Sequence, residues 1–215
     1  MLTGDLEATS GGIFVKGLNL KTNLKEIHKM IGYCGQFDAH IDELTGRETL
    51  TFYAKCRGIK TKDIPNCIMK LASDFDFVEH LDKQVRFFSG GNKRKLSTAI
   101  ALIGDPQIIY LDEPTSFMDP LVKRKFWHQI AKLRDSGKTI ILSSHSMDEV
   151  EVLCTRIGIM MNGEMKCLGS PQYLKSKFGK TIVVTLKLKK LEVNEAAKCE
   201  VKRFIDMELP GAILK

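Results

Sequence analysis

The sequence predicts an α/β fold built on a parallel core sheet. Two apolar runs, residues 108–111 and 139–144, are separated by a segment of helical periodicity that begins after Pro120. A strand, a helix and a second strand in this order form a βαβ unit, whose strands run parallel. A third apolar run, residues 31–36, ends on the polar residue Gln36. Because ligands bind at the carboxyl ends of parallel strands, we expect the functional site at that edge of the sheet.

The region before residue 60 adds a hairpin and two helices. A Gly-Gly pair precedes the short apolar run 13–16, which predicts a hairpin at a sheet edge. The segment "NLKEIHKM" predicts a short helix that leads into the strand at 31–36. Thr45 and Glu48 have the spacing of a capping box, and Gly58 provides a stop for the helix that they begin.

The middle of the chain predicts two further helices before the run at 108–111. The first covers about residues 66–75. The second begins at Asn92, and its apolar residues Leu96, Ile100 and Ile103 fall on one helical face. These helices form a predominantly helical region of about residues 45–95 between strands of the sheet.

After the βαβ unit the pattern changes to a helix, a hairpin and an appended region. A helix is predicted from about Met147 to Cys154, and Asn162-Gly163 between two apolar runs is a strong hairpin signal. Beyond Ser170 the sequence predicts a helix, an alternating strand at 181–190 and a charged tail.

Composition narrows the class of protein. The 215 residues carry 33 basic and 26 acidic side chains, a net charge of +7 that is spread along the chain. No apolar run approaches the roughly 18 residues of a membrane span, and no signal segment follows Met1, so we expect the chain to be neither inserted nor secreted. The six cysteines form no CxxC pair, which predicts free thiols of a reducing compartment and no cysteine metal site.

The stretch from Phe88 to Ser116 combines a Gly-Gly helix start with an Asp-Glu pair at the tip of a buried strand. Phosphoryl transfer needs these parts: a carboxylate for the metal, a base for water, and N–H groups that bind phosphate oxygens. A phosphate-binding P-loop, G-x-x-x-x-G-K-[ST], does not occur within these residues. "SGKT" at 136–139 has Lys132 at the position of the first glycine, and "FGKT" at 178–181 has Leu174 there.

Five segments resemble the motifs of ATP-binding cassette (ABC) ATPases, in the order of that family. "YCGQ" resembles the Q-loop, "FSGGNKRK" the signature motif, "IIYLDEP" Walker B, "TSFMDP" the D-loop and "SSHSMDE" the switch histidine. Asn92 after the glycines is similar to the A subfamily of eukaryotic transporters, whose full members move lipids. The tail "LKSKFGKTIVVTLKLKK" is similar to the region after their second cassette. The resemblance implies an ABC-type P-loop NTPase fold with a parallel core sheet, a helical signature subdomain and an antiparallel edge.

The resemblance assigns roles in Mg-ATP hydrolysis to the residues at the strand ends. Asp112 would hold Mg²⁺, and Glu113 would polarise the attacking water. Gln36 would contact the metal and the water, and His145 would contact the γ-phosphate. On the residues alone, a capping aspartate, a surface glutamate, a polar strand end and a structural histidine remain the alternatives.

The resemblance also implies a second surface, which would act on the nucleotide of a partner cassette. Ser89, Gly90, Gly91 and Asn92 would present N–H groups and a helix N-terminus to the partner's ATP, and Asp119 belongs to the D-loop. The basic residues that follow, Lys93, Arg94 and Lys95, are predicted to form a solvated helix face.

The chain departs from the family pattern in two places. In the family the P-loop lies just upstream of a segment like "MLTGDL", so the N-terminal strands and the P-loop are expected to be absent, through a downstream start, a splice choice or an incomplete gene. The D-loop usually carries a small residue where Phe117 stands, which questions close packing of a cassette dimer.

We therefore predict a partial ABC ATP-binding domain at 1–178, with its helical signature subdomain at about 45–95, and the start of an appended region at 179–215. The expected cofactors are ATP and Mg²⁺. The expected partners are a second cassette, the transmembrane domains of a transporter on the cytoplasmic side of a membrane, and a lipid as transported substrate, with no nucleic acid. Two alternatives stay open: a non-catalytic pseudo-cassette that modulates an intact one, and a cassette protein that acts on nucleic acid.

Overall fold

A small antiparallel hairpin precedes the central sheet. The computed structural model describes residues 1–179 and 195–208. Strand β1 (Phe14–Val15) pairs antiparallel with β2 (Leu18–Asn19), which confirms the predicted hairpin, but the pair forms a two-stranded sheet of its own and not the edge of the central sheet. Helix α1 (Leu24–Met30) then leads directly into strand β3 (Ile31–Cys34). β3 ends before the predicted residue Gln36, because the carbonyl groups of Gly35 and Gln36 accept hydrogen bonds from Arg94.

Three helices form the helical region of the chain. They are α2 (Gly46–Cys56), α3 (Ile64–Asp74) and α4 (Gly90–Leu102). The predicted capping box of α2 is present: Thr45 Oγ1 accepts from the Glu48 backbone at 3.1 Å, and the Glu48 carboxylate accepts from the Thr45 backbone at 2.8 Å. α4 begins at Gly90, earlier than the predicted Asn92, because Ser89 Oγ accepts from the Asn92 backbone N–H at 3.3 Å and so caps the helix.

The central sheet confirms the predicted parallel α/β fold. Strand β4 (Ile108–Asp112) lies between β3 and β5 (Thr139–Ser143), parallel to both, and helix α5 (Pro120–Asp135) connects β4 to β5. Ile109 and Leu111 of β4 pack in the core of the helical region, whereas Ile108 and Tyr110 pack with α1 and the first hairpin. Residues 108–111 of β4 are apolar and buried because both faces of the sheet are covered there.

A second hairpin follows the sheet. Helix α6 (Met147–Leu153) precedes strands β6 (Ile157–Met161) and β7 (Glu164–Gly169), which pair antiparallel. Asn162 and Gly163 connect them with φ angles of +54° and +79°, as the Asn-Gly signal predicts.

The last two described elements are helices α7 (Pro171–Phe178) and α8 (Glu195–Glu208). The predicted strand at 181–190 lies outside the described residues, and α8 lies where the sequence analysis expected only a charged tail. The chain divides into two compact units, Met1–Pro171 and Gln172–Lys215. The domain boundaries given above remain a prediction.

The predicted solvated face at the start of α4 is wrong. Lys93 is half-buried, Arg94 is 1% exposed and Lys95 is 8% exposed. Lys95 donates to the Asp76 carbonyl at 2.9 Å, and burial lowers its pKa. The prediction failed because a basic residue on a helix gives no sequence signal of the carbonyl groups that fold around it.

Two predictions from composition can be compared with the described residues. No helix among them is long and apolar enough to cross a membrane. Five cysteines in the described part of the chain are free thiols, and no group of three or more metal-ligating side chains of His, Cys, Asp or Glu occurs there.

Candidate functional site

The carboxyl ends of the three parallel strands bring the predicted residues to one edge of the sheet. Asp112, the last residue of β4, stands directly opposite Ser143, the last residue of β5. Gln36 follows the end of β3 and is exposed, and His145 follows the end of β5. Parallel register thus places residues from three separate strand ends at the same edge.

Glu113 contacts His145 across this edge. The imidazole Nδ1 of His145 donates to Glu113 Oε2 at 2.8 Å; the Glu113 side chain is 19% exposed and that of His145 is 84% exposed. Glu113 has a φ of +48°, and its backbone N–H donates to the Ser143 carbonyl at 3.1 Å. Positive φ at a residue other than glycine is unfavourable and is often found at functional sites. The turn therefore directs a partly buried carboxylate toward an exposed imidazole.

The carboxylate of Asp112 is oriented by its neighbour in β5. The Ser143 hydroxyl donates to Asp112 Oδ1 in a short hydrogen bond. On β3, burial raises the pKa of Tyr33, and the negative charge of Asp112 raises it further. A carboxylate, a hydroxyl and the nearby amide of Gln36 are the oxygen ligands that Mg²⁺ prefers. The donor set at this edge therefore fits a hard divalent cation, which Asp112 would bind and Gln36 would approach.

The Gly-Gly start of α4 is the second predicted surface. Ser89 and Gly90 are exposed, while Gly91 and Asn92 are half-buried. A side chain at Gly90 would place its Cβ 3.4 Å from Phe117 Cβ, so Phe117 lies directly beside this helix start.

Phe117 and Asp119 belong to the turn that leads into α5. Phe117 has a φ of +63° and is 85% exposed. Asp119 is the N-cap residue of α5, but its side chain makes no capping hydrogen bond and is exposed. The structure thus places the Gly-Gly start of α4 next to the turn that contains Phe117.

Sequence reasoning missed Arg94, a buried residue of α4 whose side chain bonds the backbone of the site. Its guanidinium donates to carbonyl oxygens that follow β3 and β4, and it pairs with Asp38 at 3.3 Å. Asp38 in turn accepts a short hydrogen bond from Ser97. Arg94 lies inside the quoted signature segment, but its neighbours Lys93 and Lys95 made it resemble one more surface cation.

Sequence reasoning also missed Glu149, whose carboxylate lies under the switch-histidine loop. Glu149 is fully buried; its Oε1 accepts from Trp127 Nε1 at 2.9 Å and its Oε2 accepts from the Ser144 hydroxyl at 2.6 Å. The Ser144 oxygen also accepts from the backbone N–H of Ser146 at 3.0 Å. These bonds hold the residues on both sides of His145. The position of Glu149 within "SSHSMDE" was visible in the sequence, but its burial was not.

The comparisons with known proteins agree with this geometry. A family model described as "ABC transporter" matches residues 1–116. The chain belongs to the ABC transporter family. The resemblance predicted from the five motifs is thereby confirmed, and so is the fold class.

Some relatives of this ABC transporter chain are named as phospholipid-transporting ATPases. It is 48% identical over 215 residues to the human "Phospholipid-transporting ATPase ABCA3", covering all of this chain and 13% of that protein. It is 44% identical over 214 residues to the human "Retinal-specific phospholipid-transporting ATPase ABCA4", covering 99% of this chain and 9% of that protein. The chain thus spans about an eighth or less of the curated relatives it matches.

Solved structures support the same fold. An ATP-binding subunit of an ABC transporter matches with a TM-score of 0.74 at 25% identity, over 83% of this chain and 74% of that one. A dimeric ATP-binding cassette in a post-hydrolysis state with ADP and Pi matches with a TM-score of 0.72 at 19% identity, over 78% of this chain and 76% of that one. The second likeness concerns the fold alone.

Proposed function

We propose that this ABC transporter chain is part of a nucleotide-binding domain that couples Mg-ATP binding and hydrolysis to lipid transport across a membrane. The observation that carries the proposal is the 2.8 Å hydrogen bond between His145 and Glu113, beside Asp112 at the carboxyl edge of a parallel sheet. The phospholipid-transporting relatives support the choice of substrate class.

Glu113 is the general base in this proposal. Its carboxylate would accept a proton from the attacking water, a contribution that typically amounts to about 10²–10⁴-fold in rate. His145 donates to one carboxylate oxygen through Nδ1, which fixes the ring orientation and directs Nε2 away from Glu113. Nε2 is then available to contact the γ-phosphate, and the 84% exposure of His145 leaves it accessible.

Asp112 and Gln36 would serve the metal. When bound, Mg²⁺ neutralises charge on the phosphates. Asp112 offers a carboxylate that Ser143 already orients, and the exposed Gln36 amide can approach from the neighbouring strand end. Gln36 would also report nucleotide state toward the transmembrane domains.

The start of α4 would act on a partner cassette. A helix N-terminus carries unpaired N–H groups and a partial positive charge, which favour a phosphate. Ser89 and Gly90 are exposed there, with Gly91 and Asn92 behind them, and Asp119 lies in the adjacent D-loop turn. The exposed ring of Phe117 stands beside this start, so a partner cassette must accommodate it.

The test uses the longest natural protein that contains this chain, because no P-loop pattern occurs within the 215 residues. Glu113→Gln is expected to retain Mg-ATP binding and to lower turnover by about 10²-fold or more, since the amide cannot accept the proton of the attacking water. Glu79→Gln, an exposed glutamate in the helical region, is the matched control and should leave turnover unchanged.

Two outcomes would count against the proposal. Turnover by Glu113→Gln at the wild-type rate would exclude Glu113 as the base. Lack of ATP binding in the wild-type protein, together with a changed ATP affinity of an intact cassette mixed with it, would favour the non-catalytic pseudo-cassette.

A further inference from the structure

The Arg94 side chain is the most heavily hydrogen-bonded buried cation at the site. It projects from the second turn of α4 and is 1% exposed. Two of its acceptors follow β3: the Gly35 carbonyl at 2.5 Å and the Gln36 carbonyl at 3.2 Å. Three lie at the end of β4 or just after it: the carbonyls of Asp112, in a short bond, of Glu113 at 3.0 Å and of Pro114 at 3.3 Å. One guanidinium therefore bridges the two loops that carry the proposed metal and base residues.

The chemistry of these contacts requires arginine. A guanidinium presents five N–H donors in a rigid plane, whereas a lysine ammonium presents three donors from one point. The acceptors lie on two separate loops, so a single ammonium group can serve one loop but not both. Burial of a cation is costly unless it is paired and hydrogen-bonded. Asp38, whose side chain is 20% exposed, supplies the opposite charge at 3.3 Å.

We propose that Arg94 is a positioning residue that fixes the loop of Gln36 against the loop of Asp112 and Glu113. It acts through the backbone, because its bonds end on the carbonyl oxygens of these residues and leave their side chains free for ligands. Ser97 of α4 and Asp38, in the segment after β3, extend the same network. This inference rests on the proposed function for its catalytic consequence, but the loop positioning can be measured without it.

The experiment compares Arg94→Lys and Arg94→Met with wild type in the longest natural protein that contains this chain. Hydrogen–deuterium exchange is followed in peptides covering residues 35–38 and 112–116. Arg94→Met is expected to exchange about tenfold faster in both peptides, because the loops open more often once their carbonyl groups lose the Arg94 donors, and Arg94→Lys is expected to do so in at least one of them. Exchange in the buried part of α5, around Phe126 and Ile130, should stay within about twofold of wild type.

Arg57→Lys is the matched control. The Arg57 guanidinium also donates to backbone carbonyls, but near the other end of β3: to Ile31, the first residue of that strand, at 2.8 Å, and to His28 of α1 at 3.0 Å. Arg57→Lys should leave exchange at 35–38 and 112–116 unchanged. In the same protein, Arg94→Lys is expected to lower kcat about tenfold or more while ATP binding changes less than about twofold, as for loss of an interaction needed in the transition state.

Each remaining result decides against the proposal. Unchanged exchange of Arg94→Met in either loop peptide would show that Arg94 does not hold that loop. An equal rise throughout α5, or failure of both variants to fold, would assign Arg94 a general role in stability. Glu113→Gln, assayed in parallel, separates the proposed function from the positioning role of Arg94. If Glu113→Gln hydrolyses ATP at the wild-type rate, the proposed function fails, but the exchange data still test whether Arg94 holds the two loops.

Discussion

The contact between β3 and α4 is so close at Gly32 that a single methyl group should disrupt it. A Cβ at Gly32 would lie 2.0 Å from the Ala101 carbonyl oxygen and 2.9 Å from Pro106 Cγ. Contacts tighter than 3.4 Å are unusual for a real Cβ, so the strand and the helix would have to separate by more than 1 Å. The obstacle is backbone, which cannot move aside as a flexible side chain can.

We expect Gly32→Ala to lower the free energy of unfolding by about 3 kcal/mol, the upper end of the usual cost of overpacking. For a chain of this size, such a loss lowers Tm by about 6–12 °C. The same separation would draw α4, and with it Arg94, away from the carbonyl groups after β3. Thermal and urea unfolding, followed by circular dichroism, would measure the effect.

Gly158→Ala is the matched control, because Gly158 also lies in a strand. Its Cβ would meet the sulfur of Met165 at 3.0 Å, but this is the end of a flexible side chain that can turn aside. We expect a change within about 1 kcal/mol, which includes the small gain from a less flexible unfolded chain. The reasoning would be refuted if Gly32→Ala unfolded at the same temperature as wild type, or if both variants lost the same stability.

Two further predictions concern buried and exposed carboxylates. Trp127→Phe should lower the free energy of unfolding by about 1.5–3 kcal/mol, since the buried Glu149 carboxylate loses the indole donor at 2.9 Å. Urea unfolding must be followed by circular dichroism, because Trp127 is the single tryptophan and the variant has no indole fluorescence. An unchanged urea midpoint would show that the bond contributes nothing. Lys125→Met should return the pKa of Asp76 toward 3.8, because the Lys125 ammonium at 2.9 Å holds that pKa below its ordinary value. The Lys125–Asp76 pair stabilises the fold above about pH 4, and its effect is lost as pH falls through the lowered pKa of Asp76. Lys125→Met should therefore lower the free energy of unfolding by at most about 1 kcal/mol at pH 7, and should not change it once Asp76 is protonated in both the folded and the unfolded state. Titration of the Asp76 carboxyl carbon by NMR would check this, and an unmoved pKa would contradict it.

The sequence by itself determined the features that depend on neighbouring residues. The capping box at Thr45 and Glu48 and the turn at Asn162-Gly163 are present because their hydrogen bonds and φ angles are set within a few positions of the chain. The apolar run at 108–111 predicted a buried strand, and β4 is that strand. The parallel order of the strands also predicted that the motif residues at the strand ends lie at one edge of the sheet.

Only the tertiary structure decided which polar groups are buried and what satisfies them. Nothing local distinguishes Arg94 from Lys93, because the carbonyl groups that accept from Arg94 belong to two loops that meet only when β3 and β4 pair beneath α4. The burial of Glu149 likewise depends on Trp127 of another helix. A buried charge is stable only where distant segments converge to supply its partners, and that convergence is a property of the packed chain.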